Sequence, residues 1–253
     1  MAEKNFVAFG DSNVNILAPL QNEHFKIYKF KGVSIKSILN KKDQFNDIVN
    51  ALKKKKFDCA FFIFGVVDMN FYYYYKTYEQ EEKNMMDKIY DYLPEYVSLV
   101  NNLSASNKCI IGILPSHIPT SNFKKMLEIY NTLSPKKYNT LSPEKIKNID
   151  DSDITISIRN ERVKKINSIL SAECDKKNIL FCDIYDQITQ NDILNDIFYL
   201  KHNPHNIHQN YEYLLLVYLK KCLHFFKATA VSISDNPQRF FAFGPIRIFI
   251  SSQ

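Results

Sequence analysis

Apolar residues fall along this chain in two rhythms: short, nearly unbroken runs, and longer stretches in which they recur every three or four positions. The short runs are Asn5 to Phe9, Phe25 to Phe30, Cys59 to Phe64, Cys109 to Leu114 and Ile179 to Ile184. All but the second are almost continuously apolar, as strands buried on both faces of a parallel sheet are. Between them, Ser37 to Lys55, Thr77 to Leu103, Arg159 to Lys177 and Tyr211 to Phe226 carry helical spacing. Met85, Met86, Ile89, Tyr90, Tyr92, Leu93 and Val97 in the second form a Met and aromatic stripe that reads as core packing rather than a cofactor face. The alternation predicts an α/β fold: a three-layer α/β/α domain with a five-stranded parallel sheet in flavodoxin-like order. Right-handed crossovers then bring every strand's C-terminal end to one rim.

Two segments break this rhythm. His117 to Ile154 is a polar insertion after the fourth strand, with YNTLSP at Tyr130 to Pro135 and again at Tyr138 to Pro143. One duplicated hexapeptide cannot build a solenoid, so the insertion reads as a loop or helical flap. The tail after Lys227 contains no further lysine and ends in RFFAFGPIRIFI. The division is therefore a domain over 1–226 carrying the insertion 117–154, and a C-terminal extension over 227–253 that either packs on the domain or stays disordered.

Composition narrows the function classes. Of 253 residues, 33 are Lys or Arg and 27 Asp or Glu, a net charge of +6. The basic residues are dispersed, and the run Lys53 to Lys56 ends a helical pattern where it faces the helix dipole, so no nucleic-acid partner is expected. No run reaches the roughly twenty apolar residues of a spanning helix, and the N-terminus lacks a signal-peptide pattern; the expectation is a cytoplasmic protein with no membrane span. Cys59, Cys109, Cys174, Cys182 and Cys222 include no C-x-x-C pair and read as buried free thiols. Glycine is scarce, five against the roughly eighteen that average usage would give. So few glycines mark places where the backbone requires them; Gly112 in the fourth strand suggests a close backbone approach.

The first strand runs into Gly10, Asp11, Ser12 and Asn13, placing a serine where open α/β sheets bind their ligands. By itself this is equally an N-cap on a tight turn. Far along the chain, His202, Asn203, Pro204, His205, Asn206, Ile207 and His208 immediately precede the last helix. A histidine there is a candidate base for a strand-end serine. Three histidines at a spacing of three also raise a metal site, but Pro204 makes the segment enter as a loop and no acid or cysteine accompanies them; no metal is expected. His24, His117 and His224 read as ordinary histidines, with His117 at the rim after the fourth strand.

These blocks resemble those of the SGNH, or GDSL, hydrolase superfamily over residues 1 to about 226. FVAFGDSN resembles the first block, Gly32 in YKFKGVSIKSIL the second, Gly65 and Asp68 in FFIFGVVDMN the third, and NPHNIHQNYEYLL the last. The resemblance implies Ser12 as nucleophile, His208 as its base, and the amides of Ser12 and Gly32 as oxyanion donors. Asp11, Asp68, Asn70 and His205 would support the site. Two positions depart from the pattern. Val67 replaces the third-block asparagine, a loss worth about 10²–10³ in kcat unless Asn13 or Asn70 substitutes. His205 replaces the aspartate that orients the base, leaving a Ser-His dyad, or a role for Asp183 or Asp186 after the fifth strand.

The implied function is a serine hydrolase of carboxylic esters, acyl or acetyl and on a carbohydrate among the options, acting on a small-molecule or glycan ester without a cofactor. The rival reading is a non-catalytic binding module for a glycan or protein, with Phe71 to Tyr75 either a stacking platform or packed half-buried behind the rim.

Overall fold

The computed structural model describes residues 4–40, 42–133, 141–191, 193–194, 214, 215 and 217. Strands β1 (Phe6–Gly10), β2 (Phe25–Lys29), β3 (Cys59–Ile63), β4 (Asn107–Ile111) and β5 (Leu180–Cys182) form one sheet. Its order is β2-β1-β3-β4-β5, parallel throughout, as the pattern predicts. This is the flavodoxin-like order, with its switch point at the C-terminal ends of β1 and β3.

The unbroken apolar runs have a direct cause. Val7 and Phe9 of β1 and Ala60 and Phe62 of β3 enter one core, whereas Phe6, Ala8, Cys59, Phe61 and Ile63 enter the other. Both faces being buried, every position must be apolar. Aromatic pairs tie adjacent strands together on each face: Tyr28, Phe9 and Phe62 stack in sequence on one, Phe6, Phe25 and Phe61 on the other.

The first face is covered by helices α1 (Ile35–Asn40), α2 (Lys42–Lys54), α3 (Met85–Asn101), α4 (Thr120–Leu133), α5 (Pro143–Lys147) and α6 (Ile156–Lys176). The second face is covered by a 3-10 helix at Ser12–Leu20, by α7 (Tyr185–Ile188), by the hairpin β6 (Thr189–Gln190) and β7 (Ile193–Leu194), and by Leu214 and Leu215. Leu214, Leu215 and Val217 are helical within the predicted last helix. Lys53 and Lys54 stand in the exposed last turn of α2, where their charge opposes its dipole. Among the described residues, no helix is long and apolar enough to cross a membrane.

Several boundaries differ from the periodicity. The helix expected from Thr77 begins only at Met85, because Glu81 and Asn84 take positive φ (53° and 54°) and end helical continuity. The residues before them, Asp68–Tyr72 and Tyr75–Glu79, wind as π turns. The insertion is built into the domain: Phe123 and Met126 of α4 and Ile146 of α5 are buried in the first core. Ser142 caps α5 with Pro143 in its first turn, and Asn131 Nδ2 donates to the Leu141 carbonyl at 2.6 Å, joining the two copies of the repeat.

Candidate active site

Gly10 closes β1 where a side chain cannot fit: a Cβ would stand 2.6 Å from the Ile63 carbonyl oxygen and 2.8 Å from Val14 Cβ. β1 and β3 can therefore leave the sheet side by side, and the Asp11 amide donates to the Ile63 carbonyl at 3.0 Å. The buried Asp11 caps the 3-10 helix. Its Oδ1 accepts from the Asn13 amide and from Asn13 Nδ2, both at 2.8 Å. This places Ser12, buried, at the first position of that helix, on the rim.

A second turn stands beside it. The Phe30 amide donates to the Gly10 carbonyl at 2.8 Å, and the chain then reverses through Gly32 with φ 76°. Ser34 caps α1, its Oγ accepting from the Ser37 amide at 3.0 Å. Asp68, buried beyond β3, reaches the same turn. Its Oδ2 accepts from the Ile35 amide at 2.8 Å and its Oδ1 from the Lys36 amide at 3.4 Å; the Tyr92 hydroxyl donates to Oδ1 at 2.6 Å. The third-block aspartate is thus a structural acceptor that fastens the Gly32 turn to the end of β3. Gly65 allows the chain to leave β3 at φ 119°, with the place of a Cβ filled by Ile113 Cδ1 at 2.4 Å.

Two buried carboxyls consequently lie behind the rim, near enough for the Asp68 charge to act on Asp11. Burial pushes Asp68 up to about 6, against the opposing pull of Tyr92 and the Ile35 amide. Burial likewise raises Asp11 to about 6, with the Asn13 bonds pulling down and the Asp68 charge pushing up. The Val67 amide approaches Asp11, but Asp11 Oδ2 makes no hydrogen bond.

The Val67 side chain is buried in the apolar core. Asn13, one of its two candidate substitutes, already directs Nδ2 to Asp11. The other, Asn70, is half-buried and lines a narrow pocket of about 20 Å³ with Asn13, Met69, Ser116, His117 and Arg159. Sequence reasoning did not find Ser116 or Arg159. Arg159 is buried with its guanidinium over the Phe123 ring, and it donates to Ser116 Oγ and to the carbonyls of Ile118 and Ile154. Asn160 and Asn167, two turns apart on α6, hold the chain beyond β4 through Ser116 and Ile113. Polar residues at helical spacing on the inner face of α6 were the available signal.

Asp183 is held by Asn167 Nδ2 (3.0 Å) and the Tyr185 amide (2.9 Å), and Asp186 is exposed. Gly112 makes the predicted close approach, its Cβ position lying 3.0 Å from Asp183. Of the aromatic run, Phe71, Tyr73 and Tyr74 are buried and Tyr72 and Tyr75 half-buried. The hydroxyls of Tyr73 and Tyr78 donate to the Asp153 carboxylate, that of Tyr74 to the Asp153 carbonyl, and Arg162 pairs with the carboxylate. These tyrosines fasten the insertion to the domain. Cys59, Cys109, Cys174 and Cys182 are buried. Among the described residues no group of His, Cys, Asp and Glu could hold a metal ion. His202, His205, His208, His224 and Cys222 lie outside the described residues.

No family model matches the chain, and no curated protein matches it. Solved structures do. A Bacteroides fragilis protein assigned as an acylhydrolase superposes with a TM-score of 0.54 at 15% identity, covering 89% of this chain and 88% of that one. A member of a carbohydrate acetylesterase family from Sinorhizobium meliloti gives 0.51 at 9% identity, covering 89% and 98%. An extracellular lipase from Streptomyces rimosus gives 0.50 at 12%, covering 86% and 99%. With the strand order, the Gly10 and Gly32 turns and the Asp68 lock already established, the chain has the fold of the SGNH hydrolases.

Proposed function

We propose that this protein is a serine hydrolase of carboxylic esters, with Ser12 as nucleophile and His208 as general base. His208 takes the Ser12 hydroxyl proton as Oγ attacks the ester carbonyl, the amides of Ser12 and Gly32 receive the oxyanion, and the protonated imidazole returns the proton to the leaving alcohol. Water, activated by the same histidine, then releases the acid from the acyl-enzyme. What supports this reading most is the pairing of two turns at the junction of β1 and β3: the capped turn of Ser12 and the Gly32 turn locked by Asp68. An acetyl ester on a carbohydrate fits, as does the fold shared with a carbohydrate acetylesterase family member. No cofactor enters the scheme, and the working compartment is the cytoplasm.

The second reading is a binding module, favoured by Val67, which puts a buried hydrocarbon where the resemblance expects an oxyanion donor. Labelling with a fluorophosphonate and turnover of p-nitrophenyl acetate separate the two. The hydrolase shows both, and Ser12→Ala loses both. Equal background turnover in wild type and Ser12→Ala, with neither labelled, refutes the hydrolase and leaves the binding module.

A further inference from the structure

The Gly32 turn is held by an aspartate that is itself held by one side chain from another element. Tyr92 on α3 is buried, and its hydroxyl makes the shortest of the three hydrogen bonds to the Asp68 carboxylate, at 2.6 Å. The other two reach the amides of Ile35 and Lys36 at the start of α1, directly after Gly32. One chain of contacts therefore runs from the middle of α3 through a buried carboxylate to the loop whose glycine amide is the candidate oxyanion donor. We propose that Tyr92 is a positioning residue of this site, its hydroxyl keeping Asp68 in the acceptor state and orientation that aim the Gly32 amide.

This inference rests on the hydrolase reading for its kinetic part. An ionised carboxylate accepts from all three donors, whereas a carboxylic acid turns one oxygen into a donor and competes with the amides. Tyr92 favours the ionised form. The other groups facing Asp68 are Asp11 beyond β1, whose charge disfavours that form, Tyr72 in the π turn, Tyr96 on α3, and Lys36 of α1, whose ammonium lies 5.2 Å from the Tyr92 ring centroid. Tyr96 supplies an internal control: it is buried one turn along the same helix, but its hydroxyl has no hydrogen-bond partner among the described residues.

The experiment compares Tyr92→Phe with Tyr96→Phe. In Tyr92→Phe, kcat for p-nitrophenyl acetate at pH 6 falls about fivefold, because a carboxyl moved from about 6 up by about one pH unit is only about a tenth ionised there against half in wild type, while KM holds. The acid limb of its pH profile moves up by about one pH unit, so that activity recovers toward wild type at pH 8.5. Tyr96→Phe keeps the wild-type limb. The midpoint of the Asp68 carboxyl, followed by carbon-13 NMR, moves in parallel and requires no turnover. If wild type proves inactive and unlabelled by fluorophosphonate, the hydrolase reading falls and the midpoint alone decides whether Tyr92 controls Asp68. An Asp68 midpoint unchanged in Tyr92→Phe, or an identical shift in Tyr96→Phe, overturns the proposal.

Discussion

Asp11→Asn isolates the cost of a buried charge beside the candidate nucleophile. Asp11 Oδ1 accepts two hydrogen bonds from Asn13, and Oδ2 has none. An asparagine in the same rotamer keeps the Oδ1 acceptor but sets an NH2 in place of Oδ2, so the pH dependence, and not a constant offset, carries the comparison. Burial holds the folded carboxyl at about 6 against an ordinary 3.8. Because the folded value is the higher, the folded state binds the proton more tightly. The associated stability is fully present below pH 3.8 and is lost as pH rises through about 6. At about 1.4 kcal/mol per pH unit of displacement, Asp11 takes roughly 3 kcal/mol from the fold between pH 4 and pH 7. Urea unfolding of wild type and Asp11→Asn at half-unit steps over that range measures this directly. The difference in unfolding free energy should swing toward the variant by about 3 kcal/mol as pH rises, with most of the change between pH 4 and 6.5. A difference that stays flat across the range refutes the account, since a purely steric or hydrogen-bonding effect has no reason to follow pH. Removing the Asp11 charge also relieves Asp68, whose midpoint should fall in the variant.

Gly65→Ala forces φ 119° on an alanine and drives its Cβ into Ile113, so the melting temperature should drop by an amount equivalent to 2 kcal/mol or more; an unchanged value would show that the turn relaxes freely. Asp153→Ala strands Arg162 and removes the acceptor of Tyr73 and Tyr78, a loss of about 3 kcal/mol by urea unfolding, with faster hydrogen exchange in α5 as the local signature. Iodoacetamide at pH 8 should spare Cys59, Cys109, Cys174 and Cys182 until the protein unfolds, because all are buried and burial pushes Cys174 up to about 12; peptide mass spectrometry reads each site.

The sheet was legible because double-sided burial writes a run such as FVAF or CAFFI with no polar interruption. Gly10, Gly32 and Gly65 were legible because a chain so poor in glycine keeps it where a side chain or an ordinary φ is excluded. What periodicity could not show was where winding changes. The π turns through Phe71 to Tyr75 share the composition of an α-helix, and their break at Glu81 to Asn84 is set by two positive φ values on residues that give no glycine or proline signal. The 3-10 helix after Ser12 was equally hidden, since SNVNILAPL covers the second face of the sheet without a clear helical stripe. Side-chain relays were the least visible. Tyr92 looked like one more core aromatic, and nothing singled out Asp153, because a hydrogen bond between residues 24 or 80 positions apart leaves no mark on local spacing.

The repeated YNTLSP has a consequence for how this chain can vary in length. Its first copy contributes Tyr130 to Leu133 to α4, whereas its second supplies the Ser142 and Pro143 that begin α5, so the same hexapeptide serves in two different helical settings. A duplication there inserts chain between two helices that are separately anchored in the core, and doubling the length of a loop costs in general only about 0.6 kcal/mol. Excising 134–141 would restore a single copy with Leu133 joined to Ser142, its signal for opening α5 retained. The insertion can therefore lengthen or shorten in steps of eight residues by copying errors in its gene, while the Asp153 anchor and the rim that carries Ser12 stay where they are.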